Sequence, residues 1–344
     1  MKCVQFPGLR DTVMGTLPEP GITNPDDVLI RIGAVGICGS DIHYYTDGRI
    51  GDQVVSYPYV PGHECSGTVV AVGKAVTRVK PGEKIAIEPA LSCGECDQCR
   101  AGRENTCRNI RFLGSPGQLE GCLKEFLVMP ERNCFPMPPD MGMAQGAFAE
   151  PLSIAIYGLS FVPALEGKSM AILGAGPIGL SVQLEARYRR AKWIYVTDKL
   201  PERLDVAARH GADLTGNPIN QDVERMLLDA EPAGLDVVVE CCGEQQALDQ
   251  AVRLLKPGGL LLVIGIPVTD RVSFDVNLVR RHEITIRHVR RQNGCLGTAV
   301  GRIATGSIVV DDLITHREPM EHAKKLYEFV AGYQDGVIKA VIEV

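Results

Sequence analysis

At 344 residues the chain is longer than one hydrophobic core ordinarily serves, so two domains are expected. A hydrophobic share of 45%, a charged share of 23% and a net charge of −6 describe an ordinary soluble globular protein, and the acidic balance excludes nucleic acid as the main partner, because neutralising phosphates needs a basic face. No apolar run reaches the roughly 18 residues of a membrane span, and Met1 to Arg10 lacks the basic and apolar segments of a secretory signal. A cytoplasmic protein is therefore expected, with its twelve cysteines acting as core residues or metal ligands rather than as disulfides.

From Asp27 to Val35 apolar residues fall largely at alternate positions, which predicts a half-buried strand, and Ser66–Val72 and Glu83–Ile87 repeat the pattern between Gly and Pro punctuation. The first ~150 residues thus read as β-rich. After Glu150 the texture changes. Ser169–Leu173 is a short apolar strand, Gly174–Gly179 a glycine loop, and Pro177–Arg190 has helical spacing. Strand Trp193–Thr197, helix Pro201–His210, strand Leu235–Glu240, helix Gln245–Leu255 and strand Leu260–Gly265 continue the alternation, which predicts a parallel sheet wound by helices. Strand Ile284–Val289, helix Met320–Tyr333 and strand Ile338–Val344 close the chain.

Gly174-Ala175-Gly176-Pro177-Ile178-Gly179 matches the dinucleotide fingerprint. Its glycines permit a tight turn, close approach of backbone to pyrophosphate, and packing of helix on strand, while amides at the helix start meet the phosphate charge. Asp198, 24 residues after Gly174 and at the end of the next strand, suits the two ribose hydroxyls and repels a 2′-phosphate, which points to NAD. Lys199 and Arg203 are nearby cations; they either soften the exclusion of NADP or form a solvated pair at the helix start. Arg203 is kept as a cofactor-binding candidate.

Cys93, Cys96, Cys99 and Cys107 place four thiolates within fifteen residues, a spacing that suits a closed, structural tetrahedral zinc site, with an iron–sulfur cluster as the competing reading. Cys38-Gly39-Ser40-Asp41-Ile42-His43 and Gly62-His63-Glu64 are each weak signals alone.

Together with the four-cysteine lobe and the glycine loop, these motifs resemble the zinc-dependent medium-chain alcohol dehydrogenases over essentially the whole chain. The resemblance implies that Cys38 and His63 bind a catalytic zinc. The third ligand position falls in Ala149-Glu150-Pro151-Leu152-Ser153, where other alcohol dehydrogenases of the family carry cysteine; glutamate beside Pro-Leu-Ser is similar to the sorbitol and xylitol dehydrogenases. His43-Tyr44-Tyr45 and Gly48-Arg49-Ile50 fit the same branch. Zinc suits this chemistry as a Lewis acid that makes an alcohol's proton removable at neutral pH, while the nicotinamide receives hydride.

By the same resemblance Ser40 bonds the substrate oxygen and starts a proton relay, Asp41 buttresses the far nitrogen of His63, and Glu64 and Glu150 are alternative direct ligands. His43 is either a catalytic relay group or a surface histidine. Tyr44, Phe112, Ser115 and Arg290 occupy substrate positions. Arg291 replaces a tyrosine of the polyol enzymes, as a second guanidinium for a sugar acid or as a salt-bridged residue.

The expected architecture is α/β: a Rossmann doubly wound parallel sheet over 151–286, plus a β-rich GroES-like catalytic domain over 1–150 and 287–344 that carries the structural zinc lobe, with the catalytic cleft between the two. The expected function is NAD-linked oxidation of a secondary hydroxyl of a polyol by a cytoplasmic homotetramer holding two zinc ions per subunit. A sugar-acid, butanediol or other secondary-alcohol dehydrogenase is the alternative within the family, and a non-catalytic dinucleotide-binding protein is the alternative of another class.

Overall fold

Two separated stretches of chain build the sheet in which Asp27–Gly36 is central. A computed structural model describes every residue except Val268. One unit contains Met1–Ser153 and Asn293–Val344, the other Ile154–Gln292. In the first unit the strand order is Cys134–Pro136, Lys84–Ile87, Glu64–Val72, Asp27–Gly36, Lys339–Glu343, Ile314–Pro319, with Phe126–Pro130 also pairing with Asp27–Gly36. Most pairings are antiparallel, and the alternation along Asp27–Gly36 puts Val28, Ile30 and Ile32 into the core with Val69, Ile85 and Ile87. The C-terminal strand enters this sheet by pairing Val341, Ile342 and Glu343 with Gly36, Val35 and Ala34. An aromatic cluster lies in the same core, with Phe6 5.2 Å from Tyr45, 5.1 Å from Tyr327 and 5.9 Å from Tyr59 between ring centroids.

The second unit is a six-stranded parallel sheet in the order Leu214–Gly216, Trp193–Thr197, Ser169–Leu173, Leu235–Glu240, Leu255–Val263, Thr285–His288. Numbered along the chain this is 3-2-1-4-5-6, the doubly wound order whose first turn binds dinucleotides. All five residues of Ser169–Leu173 are buried, as a central parallel strand requires.

Several helices depart from the sequence reading. Met143–Ser160 is continuous through Pro151, where the texture change suggests a boundary, and the division between units falls within it at Ser153. An interior proline costs about 3 kcal/mol, but Phe148, Leu152 and Leu159 of this helix are fully buried, and each contributes about 1.5–3 kcal/mol. Packing outweighs the local penalty. Leu296–Ala304 is helical despite Gly297 and Gly301, with Leu296, Ala299, Val300 and Ile303 forming its buried stripe. Val223–Ala230 is a helix capped by Asp222, whose carboxylate accepts from the amide of Arg225. The expected helix Met320–Tyr333 is a 3₁₀ turn, Met320–His322, followed by a helix, Ala323–Ala331. Among the described residues no helix is long and apolar enough to cross a membrane.

Candidate functional site

In the first unit the strand Asp27–Gly36 delivers Cys38 to the start of the helix Gly39–Thr46, and the strand Glu64–Val72 begins at His63-Glu64. These two strands are paired, Gly36 opposite Glu64, so residues distant in sequence meet at one sheet end. One ligand atom each from Cys38, His63 and Glu64 lie within 4.8 Å of one another. Asp41 fixes both arms: fully buried, it accepts from the Cys38 amide at 3.0 Å and the Gly62 amide at 3.3 Å. Its Oδ1 is 3.6 Å from Nδ1 of His63, beyond hydrogen-bonding range but close enough to orient the ring electrostatically. The Phe112 ring lies 5.3 Å from that of His63.

Glu64 has a partner that the sequence reading missed. Nζ of Lys339 lies 2.8 and 2.6 Å from its two carboxylate oxygens and 3.0 Å from the carbonyl of Ile37. The pair is buried, at 2% and 1% side-chain exposure. Burial works to discharge the ammonium, but the Glu64 carboxylate, with Cys38 and Glu150 behind it, outweighs burial and raises the lysine above its ordinary value. Lys339 was legible as the single cation in the apolar run Ile338–Ile342. Glu150, also buried, sits on the helix Met143–Ser160. As thiolate and carboxylates, Cys38, Glu64 and Glu150 outnumber the one lysine they face, an excess of negative charge that suits a cation. The donor set therefore fits zinc.

Ser40 lies in the first turn of Gly39–Thr46. His43 lies on the same helix, 31% exposed, with Nδ1 3.3 Å from Asp47. Tyr44 donates to Oε1 of Gln53 at 3.1 Å, and Nε2 of Gln53 donates to Oγ of Ser115 at 3.2 Å. Gln53 thus joins two of the expected substrate residues, although nothing in its short hairpin marks it from sequence. Arg290 and Arg291 follow the strand Thr285–His288 and belong to the parallel-sheet unit.

The four-cysteine lobe forms a closed cluster. Its sulfurs are separated by 3.5 Å (Cys93–Cys107 and Cys96–Cys99), 3.9 Å (Cys96–Cys107) and 4.0 Å (Cys93–Cys99). Four bonds of about 2.3 Å to one tetrahedral zinc put sulfurs about 3.8 Å apart. The spacing suits a single ion and leaves no room for the inorganic core of a cluster. Amides of Arg108 and Cys99 bond the Cys96 sulfur and bring its thiol down to about 6, so the lobe favours a thiolate there.

In the second unit Gly174 has φ of +102°, a conformation glycine adopts freely. A Cβ on Gly179 would stand 1.8 Å from the Gly174 carbonyl oxygen, so the helix Pro177–Tyr188 packs on the loop only with glycine there. Gly176 is the N-cap, with Pro177 at the first helical position and Ile178 after it. Asp198 accepts from the amides of Ala175 at 2.6 Å and Leu200 at 2.8 Å, tying the loop to the end of the second strand. Arg203 Nη1 is 4.0 Å from Asp198.

Comparison with known proteins gives the family. Residues 24–139 match the alcohol dehydrogenase GroES-like domain, and residues 177–305 match the zinc-binding dehydrogenase domain. A sorbitol dehydrogenase of Bacillus subtilis is 34% identical over 343 residues, covering 99% of this chain and 97% of its own. The sorbitol dehydrogenase of Gallus gallus is 35% identical over 91% of this chain and 87% of its own. A crystal structure of a zinc-binding dehydrogenase from Sinorhizobium meliloti 1021, bound to NADP, superposes with a TM-score of 0.90 at 30% identity, covering 100% of this chain and 99% of that one.

The two clusters have separable consequences. Cys96→Ser should lose one of two zinc ions per subunit by elemental analysis and lower the melting temperature, because a closed thiolate site contributes folding free energy. Lost turnover with full zinc and unchanged stability would reject the structural assignment. Lys339→Met leaves Glu64 buried without its cation, a loss of about 3–5 kcal/mol. That loss should be largest in chelator-treated protein and should shrink when zinc is added back, because the dication then faces Glu64. Equal destabilisation in both forms would remove Lys339 from the metal site's charge balance.

Proposed function

The chain belongs to the zinc-binding alcohol dehydrogenase family, and on that premise we propose that it oxidises a secondary hydroxyl of a polyol to a ketose with NAD. The observation that carries the substrate class is the row of polar groups Tyr44, Gln53 and Ser115, which lies in the same unit as the Cys38–His63–Glu64 cluster, where a simple-alcohol enzyme would want apolar walls. Tyr44 spends its proton on Gln53, so its oxygen accepts from a substrate hydroxyl. Ser115 accepts a hydrogen bond from Gln53, so its own hydroxyl hydrogen is the one to donate. The full-length similarity to sorbitol dehydrogenases supports the same reading.

Cys38, His63 and Glu150 would hold the catalytic zinc, with Lys339 keeping both Glu64 oxygens engaged beside it. When bound, zinc supplies a Lewis acid for the substrate oxygen, and the nicotinamide supplies the acceptor for hydride. Asp41 positions the Cys38 and His63 arms. In the proposed relay Ser40 Oγ would accept the substrate's hydroxyl proton while giving up its own towards His43, which, half-buried and held by Asp47, would pass a proton to solvent. Phe112 and Arg290 complete the proposed substrate contacts. Cys93, Cys96, Cys99 and Cys107 would hold the structural zinc. Gly174, Gly176, Pro177, Ile178, Gly179, Asp198 and Arg203 would hold NAD, and a cytoplasmic homotetramer completes the proposal.

A pocket built to pair hydroxyls penalises substrates that lack them. Sorbitol or xylitol should exceed 2-propanol in kcat/KM by about a hundredfold or more, and Gln53→Met should erode that margin with zinc content unchanged. A simple alcohol as the best substrate would leave the zinc dehydrogenase and remove the polyol reading.

Asp198 should give NAD a kcat/KM at least about tenfold above NADP, about 1.4 kcal/mol of discrimination, and Asp198→Ala should narrow the gap. A wild-type preference for NADP, by absorbance at 340 nm with each cofactor, would overturn this assignment.

A further inference from the structure

The residue after Asp198 is a lysine, the kind of group a 2′-phosphate would seek. Its backbone is fixed: the Lys199 carbonyl accepts from Nδ2 of Asn217 at 3.0 Å, and the neighbouring Leu200 amide is bonded by Asp198. The ammonium has been drawn elsewhere. Nζ lies 2.7 and 2.5 Å from the two carboxylate oxygens of Glu244, the residue that precedes the helix Gln245–Leu254. Lys199 and Glu244 are 48% and 47% exposed, so the pair contributes little to folding, about 0–1 kcal/mol. Glu244 makes no side-chain cap to its helix either. A bidentate ion pair between elements 45 residues apart, with so little structural return, needs another account.

Arg203, the second cation beside Asp198, is differently placed. It is 12% exposed, lies 4.0 Å from the Asp198 carboxylate and has Nη1 3.4 Å from where a Cβ of Gly176 would be. It is packed against the glycine loop, whereas Lys199 stands at the surface on a flexible four-carbon stem. Lys199 is therefore the cation able to turn towards a phosphate on the ribose, and Glu244 opposes that turn by holding the ammonium.

We propose that Glu244 is a specificity-determining residue that favours NAD over NADP by withholding Lys199 from the 2′-phosphate. The proposal rests on Asp198 as the ribose-recognising acid and adds to it the sequestering of a phosphate-seeking cation, since discrimination is a difference between two affinities.

The test uses the intact zinc-loaded enzyme and four forms: wild type, Glu244→Gln, Lys199→Met and the double variant. Two quantities are measured: the ratio of kcat/KM for NADP to that for NAD, and the dissociation constants of 2′,5′-ADP and 5′-AMP by calorimetry. Glutamine keeps the size of the side chain and gives up its charge. In Glu244→Gln the cofactor ratio should rise about two- to fivefold, as expected for releasing one exposed ion pair. 2′,5′-ADP should tighten by a similar factor, 5′-AMP should not, and 0.5 M salt should suppress the gain.

In the double variant the gain should vanish, because the freed lysine is what binds the phosphate. An unchanged ratio in Glu244→Gln overturns the proposal. So does a gain that survives in the double variant, since that would show only the removal of a repelling charge. The readout is a change relative to wild type, so it stays decisive whichever cofactor the wild type prefers. A wild-type preference for NADP sinks the Asp198 reading; a flat Glu244→Gln response sinks this one.

Discussion

The buried contact between Lys339 and Glu64 is the constraint on which the first unit's chemistry depends. It joins residues 275 apart and uses an ammonium that also holds the carbonyl before Cys38. Removing either member would leave a charge with no solvent to receive it. The strand Lys339–Glu343 must therefore be in register against Asp27–Gly36 before Glu64 has its counter-charge. The C-terminal strand completes the site as well as the sheet. This explains why the unit takes residues from both ends of the chain: the anions come from the first 150 residues, and the cation from the last strand.

Asp41 does for geometry what Lys339 does for charge. Its two oxygens take one amide from each ligand-bearing arm, so the separation of Cys38 from His63 is set by backbone rather than by flexible side chains. A carboxylate accepting amides on both oxygens is a strong, oriented anchor, and its complete burial keeps water from competing.

Legibility in the sequence followed the range of the interaction concerned. The central strands of the parallel-sheet unit were readable because they are short apolar runs closed by turn signals; Ser169–Leu173, Trp193–Thr197 and Leu235–Glu240 have the bounds their sequences suggest, whereas the edge strand Leu214–Gly216 has no apolar run to announce it. The four-cysteine lobe was readable because its ligands are local. Cys38 and His63 carried meaning only in combination, since their proximity comes from strand pairing. Where tertiary packing decides, sequence signals misled or stayed silent. Pro151 marks a break in sequence and yet lies inside a helix whose buried apolar residues outweigh its penalty. The Tyr44–Gln53–Ser115 chain depends on a hairpin of two-residue strands, too short for any periodicity to register.

The two units handle charge in opposite ways, and the difference bears on what each can change. In the first, Lys339 and Glu64 are desolvated, so a substitution at either disturbs stability and, with it, the neighbouring Cys38 and His63. In the second, Asp198 is anchored by backbone amides while Lys199 and Glu244 meet at the surface, where water screens them and a substitution has little effect on folding. A buried charge network fixes the chemistry by making alternatives unstable. An exposed one sets a preference that a single uncharged side chain can relax. Metal-dependent alcohol oxidation should therefore resist sequence drift in a chain of this design, while the choice between two cofactors that differ by one phosphate stays adjustable at its rim.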